Sequence, residues 1–321
     1  QAMKNLDAAE GSFQSVLQIG RDDDLSVLAR RQMGLQQAAI SQTHKPFALY
    51  TGLMFQRDSN PTVKPNDDTF VALANIEGKR DYAKVLTLGA GWQPQIEGPW
   101  GFSAHYDFYG NAYSDFEEQD VTSHNITLSP LYRFDTISLS LPLAFNYTEV
   151  DDEKYLRQYS FSPTLSLPVG NDYLWQLSGR AEIQNYATQP LTVEEDRDNK
   201  TIGIGAGFFW FFAGQDGYIN LRADTTETEA DGDNWDRHTY RFSSYVTYPV
   251  IEKLNASLTL SYTAKNFENV HSTAFVARND DLYSGTAGLR YELLEGLDAT
   301  LSHTIQRNKS NVILYDYDRK I

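Results

Sequence analysis

From Thr136 to Tyr147 the chain alternates in character at every step. Ile137, Leu139, Leu141, Leu143, Phe145 and Tyr147 are large and apolar; Ser138, Ser140, Pro142, Ala144 and Asn146 between them are small or polar. A side-chain period of two belongs to a β-strand with one apolar face. The run is also long: about ten residues let a tilted strand cross a bilayer, whereas globular strands usually stop at five or six. The second face carries Ser and Asn with no Lys or Glu, which suits a wetted interior.

The pattern recurs along the chain. It is carried by Phe47, Leu49, Leu53 and Phe55, then by Leu86, Leu88, Ala90 and Trp92, and later by Tyr173, Trp175, Leu177, Ala181 and Ile183. Towards the end it returns in Leu254, Leu258, Leu260 and Tyr262, and in Leu297, Ala299, Leu301 and Ile305. Residues 201–212 are apolar nearly throughout, so periodicity cannot separate their two faces. Short connections at 134–135, 169–171, 214–216, 251–253 and 294–296 alternate with longer ones at 112–120, 149–154, 187–199, 226–234, 266–280 and 307–319. Short turns on one side and long loops on the other are the habit of outer-membrane barrels.

The expected fold is therefore all-β, a transmembrane antiparallel up-and-down β-barrel of about 14 strands over residues 46–321. Roughly thirteen strands can be counted, and single-chain bacterial barrels have even numbers. A closing strand is thus expected to begin near Lys320 and run past Ile321, unless Phe70–Ile76 takes part instead. A β-sandwich would need two bulky faces packed on each other; here the second face is Ser, Thr, Gly, Asn and Gln.

Residues 1–45 read differently. Leu6, Phe13, Val16 and Leu17 fall at helical spacing, Asp22, Asp23 and Asp24 supply N-cap chemistry, and Leu25, Leu28, Met33, Leu35 and Ala39 continue an apolar side. An N-terminal helical pair is expected, the end of a periplasmic repeat array, because helical repeats cannot bury their faces alone. Composition narrows the rest. The absence of Cys removes disulfides and thiolate metal centres. No apolar run is long enough for a transmembrane helix. Twenty Tyr and 17 Phe fit interfacial girdles, and a net charge of −16 argues against nucleic acid as partner.

Several segments add a resemblance. They are Arg57-Asp58-Ser59-Asn60-Pro61, Gly98-Pro99-Trp100 with Tyr106-Asp107-Phe108-Tyr109, Arg278-Asn279-Asp280-Asp281, Asn308-Lys309-Ser310-Asn311, and Tyr315-Asp316-Tyr317-Asp318-Arg319. From about residue 46 to 321 the chain resembles the C-terminal barrel of outer-membrane proteins whose periplasmic tetratricopeptide repeats precede it, a group that includes the surface lipoprotein assembly modifier (Slam) family. The resemblance implies a role in moving a lipoprotein or polymer to the cell surface.

Charged residues on the interior face are few. His105 and Asp107 share one strand, Arg180 and Glu182 another, Arg222 and Asp224 a third; Arg237, Arg241, Lys265 and Arg290 add positive charge. Read blandly, these are ion pairs that stiffen an interior. Read functionally, they line a partly basic passage for an anionic polymer or solute. Asp107, Glu182 and His105 could pair as acid and base, but no nucleophile motif accompanies them, so neither catalysis nor a cofactor nor a metal centre is expected. Acidic groups recur in the loops: Asp115 to Asp120, Glu149 to Glu153, Glu194 to Asp198 and Glu227 to Asp236. They read as a solvated rim or as weak divalent-cation sites bridging to lipopolysaccharide phosphates.

The expected function is an outer-membrane conduit or translocon of a Gram-negative bacterium, serving secretion or surface display, with residues 1–45 in the periplasm. The alternatives are a passive porin-type channel for small solutes and an exopolysaccharide export pore. Expected partners are outer-membrane lipid and lipopolysaccharide, the periplasmic helical-repeat region and the translocated lipoprotein or polymer, with no nucleic acid.

Overall fold

The computed structural model describes residues 46–67, 80–187 and 189–321. The expected helical pair at 1–45 and the alternative strand Phe70–Ile76 lie outside them. One antiparallel sheet contains β1 (Phe47–Asp58), β2 (Asp81–Trp92), β3 (Trp100–Tyr113), β4 (Val121–Phe134), β5 (Ile137–Ser140), β6 (Leu143–Val150), β7 (Glu153–Phe161) and β8 (Thr164–Val169). It continues through β9 (Tyr173–Tyr186), β10 (Asn199–Phe212), β11 (Gly217–Ala230), β12 (Arg237–Ile251), β13 (Leu254–Val270), β14 (Ala277–Leu294), β15 (Leu297–Ser310) and β16 (Tyr317–Lys320). Among the described residues no helix is long and apolar enough to cross a membrane.

Among the described residues, sixteen segments make fourteen strands. Both β5 and β6 pair with β4, and both β7 and β8 pair with β9. Each couple is one strand parted at a proline, Pro142 or Pro163, which has no N–H to give the ladder. The bonds around each break persist. Leu141 N–H donates to Pro130 O at 2.9 Å, Ser162 N–H to Pro142 O at 3.1 Å and Gly179 N–H to Pro163 O at 2.9 Å. The fourteenth strand begins at Tyr317, three residues before the position expected from periodicity.

β1 and β16 are opposite ends of this path, yet Ser59 N–H donates to Lys320 O at 2.9 Å and the Arg319 guanidinium grips the Asp58 carboxylate. The sheet therefore rolls until its ends meet at one rim, and it has an inner and an outer face. Away from that rim the ladder stays open: β15 meets β16 only over Ile305–Asn308, and β1 is paired to β2 alone.

The registers sort the side chains. Along β9, Tyr173, Trp175, Leu177 and Ile183 are exposed on the outer face, while Leu174, Gln176, Glu182 and Gln184 are buried on the inner one. β10 separates as cleanly despite its apolar sequence. Ile202, Ile204, Ala206 and Trp210 face out; Thr201, Gly203, Gly205, Gly207, Phe209 and Phe211 face in. The inner face is not polar throughout, contrary to expectation. Leu174, Phe209, Phe211 and Tyr218 cluster towards the short-turn end, and Val85, Tyr109, Val121, Val150, Tyr155 and Leu156 towards the long-loop end. Curling crowds these inward groups together, and each gains about 25 cal/mol per Å² of apolar surface removed from water.

The connection expected as a long loop at 149–154 is a two-residue turn. Asp151 and Asp152 sit at φ 54° and 57°, the pair of positive angles that a type I′ hairpin needs and that Asp tolerates better than most residues.

Candidate functional site

Between the two apolar clusters the inner face carries a polar band, and its shape starts from three glycines. Gly203, Gly205 and Gly207 leave the middle of β10 bare on the inside. Arg222 of β11 lies across that gap and donates from Nη2 to Ser178 Oγ of β9 at 2.8 Å, while Nε donates to Asp224 at 2.9 Å. A Cβ on Gly205 would come within 2.2 Å of Asp224 Oδ1 and 3.1 Å of Arg222 Nη2. The crossing therefore needs a residue without a side chain there.

Two further pairs repeat the Arg-x-acid spacing, which puts both groups on one face of a strand. Arg180 Nε donates to Glu182 at 3.0 Å, and Arg278 Nε donates to Asp280 at 2.9 Å. On the opposite wall the Tyr50 hydroxyl bonds to Asp107, which also accepts from Asn125 Nδ2 at 3.4 Å. Tyr50 lies flat over Gly89, where a Cβ would strike its ring.

All ten charged residues singled out from sequence sit on this inner face: His105, Asp107, Arg180, Glu182, Arg222, Asp224, Arg237, Arg241, Lys265 and Arg290. They do not form one centre. Arg241 faces Thr263 and Asp224, Lys265 stands opposite Asp280, and Arg237 lies at the long-loop end beside Phe267. Arg290 pairs with Asp298 at 2.6 Å at the short-turn end. Asp107 and Glu182 are engaged by Tyr50 and Arg180 respectively, in separate pairs. The geometry orients and screens charge in pairs along a wall.

The long-loop end is knitted shut at its edge. Arg278 stacks on the Tyr315 ring with its guanidinium carbon 3.1 Å from the centroid, and on Phe267 at 4.5 Å. Trp235 is buried beside them with Arg197 over its ring at 4.0 Å. Asn234 ties three loops, donating to Glu195 Oε1 at 2.9 Å and accepting from Ser272 N–H at 2.8 Å. Gly232 passes so close to the Asp196 backbone that a Cβ would fall 2.5 Å from its nitrogen. Asn66 N–H reaches Asp316 O at 2.9 Å, and Asn60 Nδ2 reaches Asp318 O at 2.9 Å. Sequence reasoning quoted Asp58, Asn60, Arg278, Asp280 and Arg319 only as parts of a resemblance. The structure makes them the fasteners of this rim.

Part of the acidic rim is structural too. Asp120, Asp198, Asp236 and Asp316 each end a loop, and each carboxylate accepts a backbone N–H from the strand before it. The donors are Tyr113, Tyr186, Ala230 and Ser310, at 2.7, 2.6, 2.7 and 3.4 Å. Burial raises the carboxyl pKa of Asp120 and Asp198, and those donated hydrogen bonds offset only part of that rise. His271, also in a loop, is held below its usual range by burial; Glu195 opposes that shift and Arg278 adds to it.

A family profile described as "Surface lipoprotein assembly modifier" matches residues 49–321. Among solved structures, a BenF-like porin from Pseudomonas fluorescens Pf-5 is 8% identical, with a TM-score of 0.47 over 86% of this chain and 96% of that one. OccAB1 of Acinetobacter baumannii is 8% identical, TM-score 0.46, over 85% and 93%. OprD of Pseudomonas aeruginosa is 11% identical, TM-score 0.42, over 85% and 90%. Similarities this low speak to neither substrate nor selectivity. No curated protein matches the sequence.

Proposed function

The chain belongs to the surface lipoprotein assembly modifier family, and on that premise we propose that it is an outer-membrane β-barrel that passes a lipoprotein to the cell surface. The observation that carries this reading is the division of one rolled sheet into two solvents. The outer face exposes Leu53, Phe55, Leu143, Trp175, Ile204 and Phe242 to lipid. The inner face holds the Arg222–Asp224–Ser178 and Arg180–Glu182 pairs in a polar band. A lipid-facing strand must be apolar outward. The cargo chain passes along the polar band while its lipid stays with the membrane. The protein supplies geometry and charge, and no covalent step. Lipid and lipopolysaccharide surround the barrel, with the N-terminal segment in the periplasm.

The test is surface display in a heterologous host. Co-expression with a lipoprotein from the same cell should expose that lipoprotein to antibody and protease on intact cells, and omission of this chain should not. A lipoprotein equally exposed without it overturns the reading. Stable, constant conductance in planar bilayers with no effect on display would make the protein a passive channel instead.

A further inference from the structure

We propose that Glu227, His238 and Glu268 bind one divalent transition-metal ion on the outer face, at the long-loop end. The three come from adjacent strands β11, β12 and β13. Glu227 stands directly opposite His238 in the ladder. Glu268 joins them by alternation: His238 stands opposite Asn266, and Glu268, two residues further along β13, points to the same face. Its backbone is pinned there, Glu268 N–H donating to Asp236 O at 3.0 Å. The three ligand atoms lie within 4.8 Å of one another, and His238 Nε2 is 3.1 Å from Glu268 Oε1.

The donor set decides the metal. Calcium and magnesium take oxygen ligands, whereas an imidazole between carboxylates suits zinc and its first-row neighbours. Tetrahedral bonds of roughly 2.0–2.2 Å to a central ion hold ligand atoms about 3.3–3.6 Å apart, so the His238–Glu268 pair at 3.1 Å would open slightly around the ion. The side chains are exposed and free to make that move. Three protein ligands leave coordination positions open outward. These groups also differ from the rest of the acidic rim: Asp120, Asp198, Asp236 and Asp316 are occupied as backbone acceptors, while here an imidazole stands between two carboxylates. Tyr240 and Tyr262 follow on the outer face towards mid-strand, which puts the ion at the level of lipid head groups if the barrel is embedded as proposed. The site itself does not depend on that embedding.

Zinc titration by calorimetry, on detergent-solubilised protein carrying no histidine tag, tests this. One Zn²⁺ should bind per chain and resist an excess of Ca²⁺. Binding should weaken on the order of tenfold or more in His238→Gln and in Glu268→Gln; both positions are exposed, and unchanged heat-modifiable mobility on gels reports that the variants fold. No saturable binding, or equal binding by both variants, would reduce the trio to a histidine–carboxylate ion pair. Displacement by equimolar Ca²⁺ overturns the choice of metal. Loss of display with zinc binding intact bears on the transport reading and leaves this site standing.

Discussion

Gly205 shows how little room the polar band has. Arg222 crosses it to Ser178, and an added methyl would sit 2.2 Å from Asp224 Oδ1. Gly205→Leu should expel the guanidinium and destabilise the fold by about 1–3 kcal/mol, the usual cost of overpacking, read as a lower urea midpoint in refolding into micelles. A Gly205→Leu midpoint equal to wild type would mean the crossing is not made in solution. His271 carries a pH dependence whose sign follows from its lowered pKa. The unfolded chain takes up the proton more readily than the folded one. The contribution of His271 to stability is therefore complete above its ordinary value of about 6.5 and drains away as pH falls below it. Hydrogen-exchange protection in residues 271–276, taken relative to the intrinsic rate at each pH, should fall as pH drops below about 6.5, and His271→Gln should flatten that response.

Single strands carry the two-faced character, and β13 offers the cleanest contrast. Leu258 points out and Thr259 points in, opposite Tyr245. Arg at 258 should cost about 2–4 kcal/mol in a bilayer, and Arg at 259 far less; equal losses would contradict the assignment of faces. The loops obey a different rule. In four of them an acidic side chain closes the loop on the preceding strand. Asp198→Asn keeps an acceptor oxygen and should be tolerated, whereas Asp198→Ala leaves the Tyr186 N–H unmet and should cost about 1–3 kcal/mol. Proteolysis at 187–198 on intact cells would report the difference.

At the scale of the whole molecule, a buried ion pair stands among the contacts that join the ends of the sheet. Asp58 and Arg319 are 0% and 1% exposed, and Asp58 also accepts from the Tyr113 hydroxyl at 2.9 Å. Arg319→Met strands a buried carboxylate and should lower stability by about 3–5 kcal/mol, with part regained on adding Asp58→Asn; urea unfolding of the single and double variants measures both. Strand number, strand direction and the facing of most residues were legible beforehand, because alternation is local and each strand states its own two faces. The face assignment of 201–212 was hidden, since both sides of that run are apolar or glycine and only the neighbours' registers tell them apart. Apolar clusters inside the roll were missed for a related reason: crowding depends on curvature, which no single strand encodes.

The chain's own alternation pointed to an all-β antiparallel sheet of about fourteen strands with two unlike faces. Folding in three dimensions decided who meets whom. Asp58 finds Arg319 across 261 residues, Arg222 finds Ser178 across β10, and Glu227, His238 and Glu268 converge from three strands. Such meetings follow from register summed over every turn and bulge, so a one-residue slip anywhere between them would reverse the faces or part the partners.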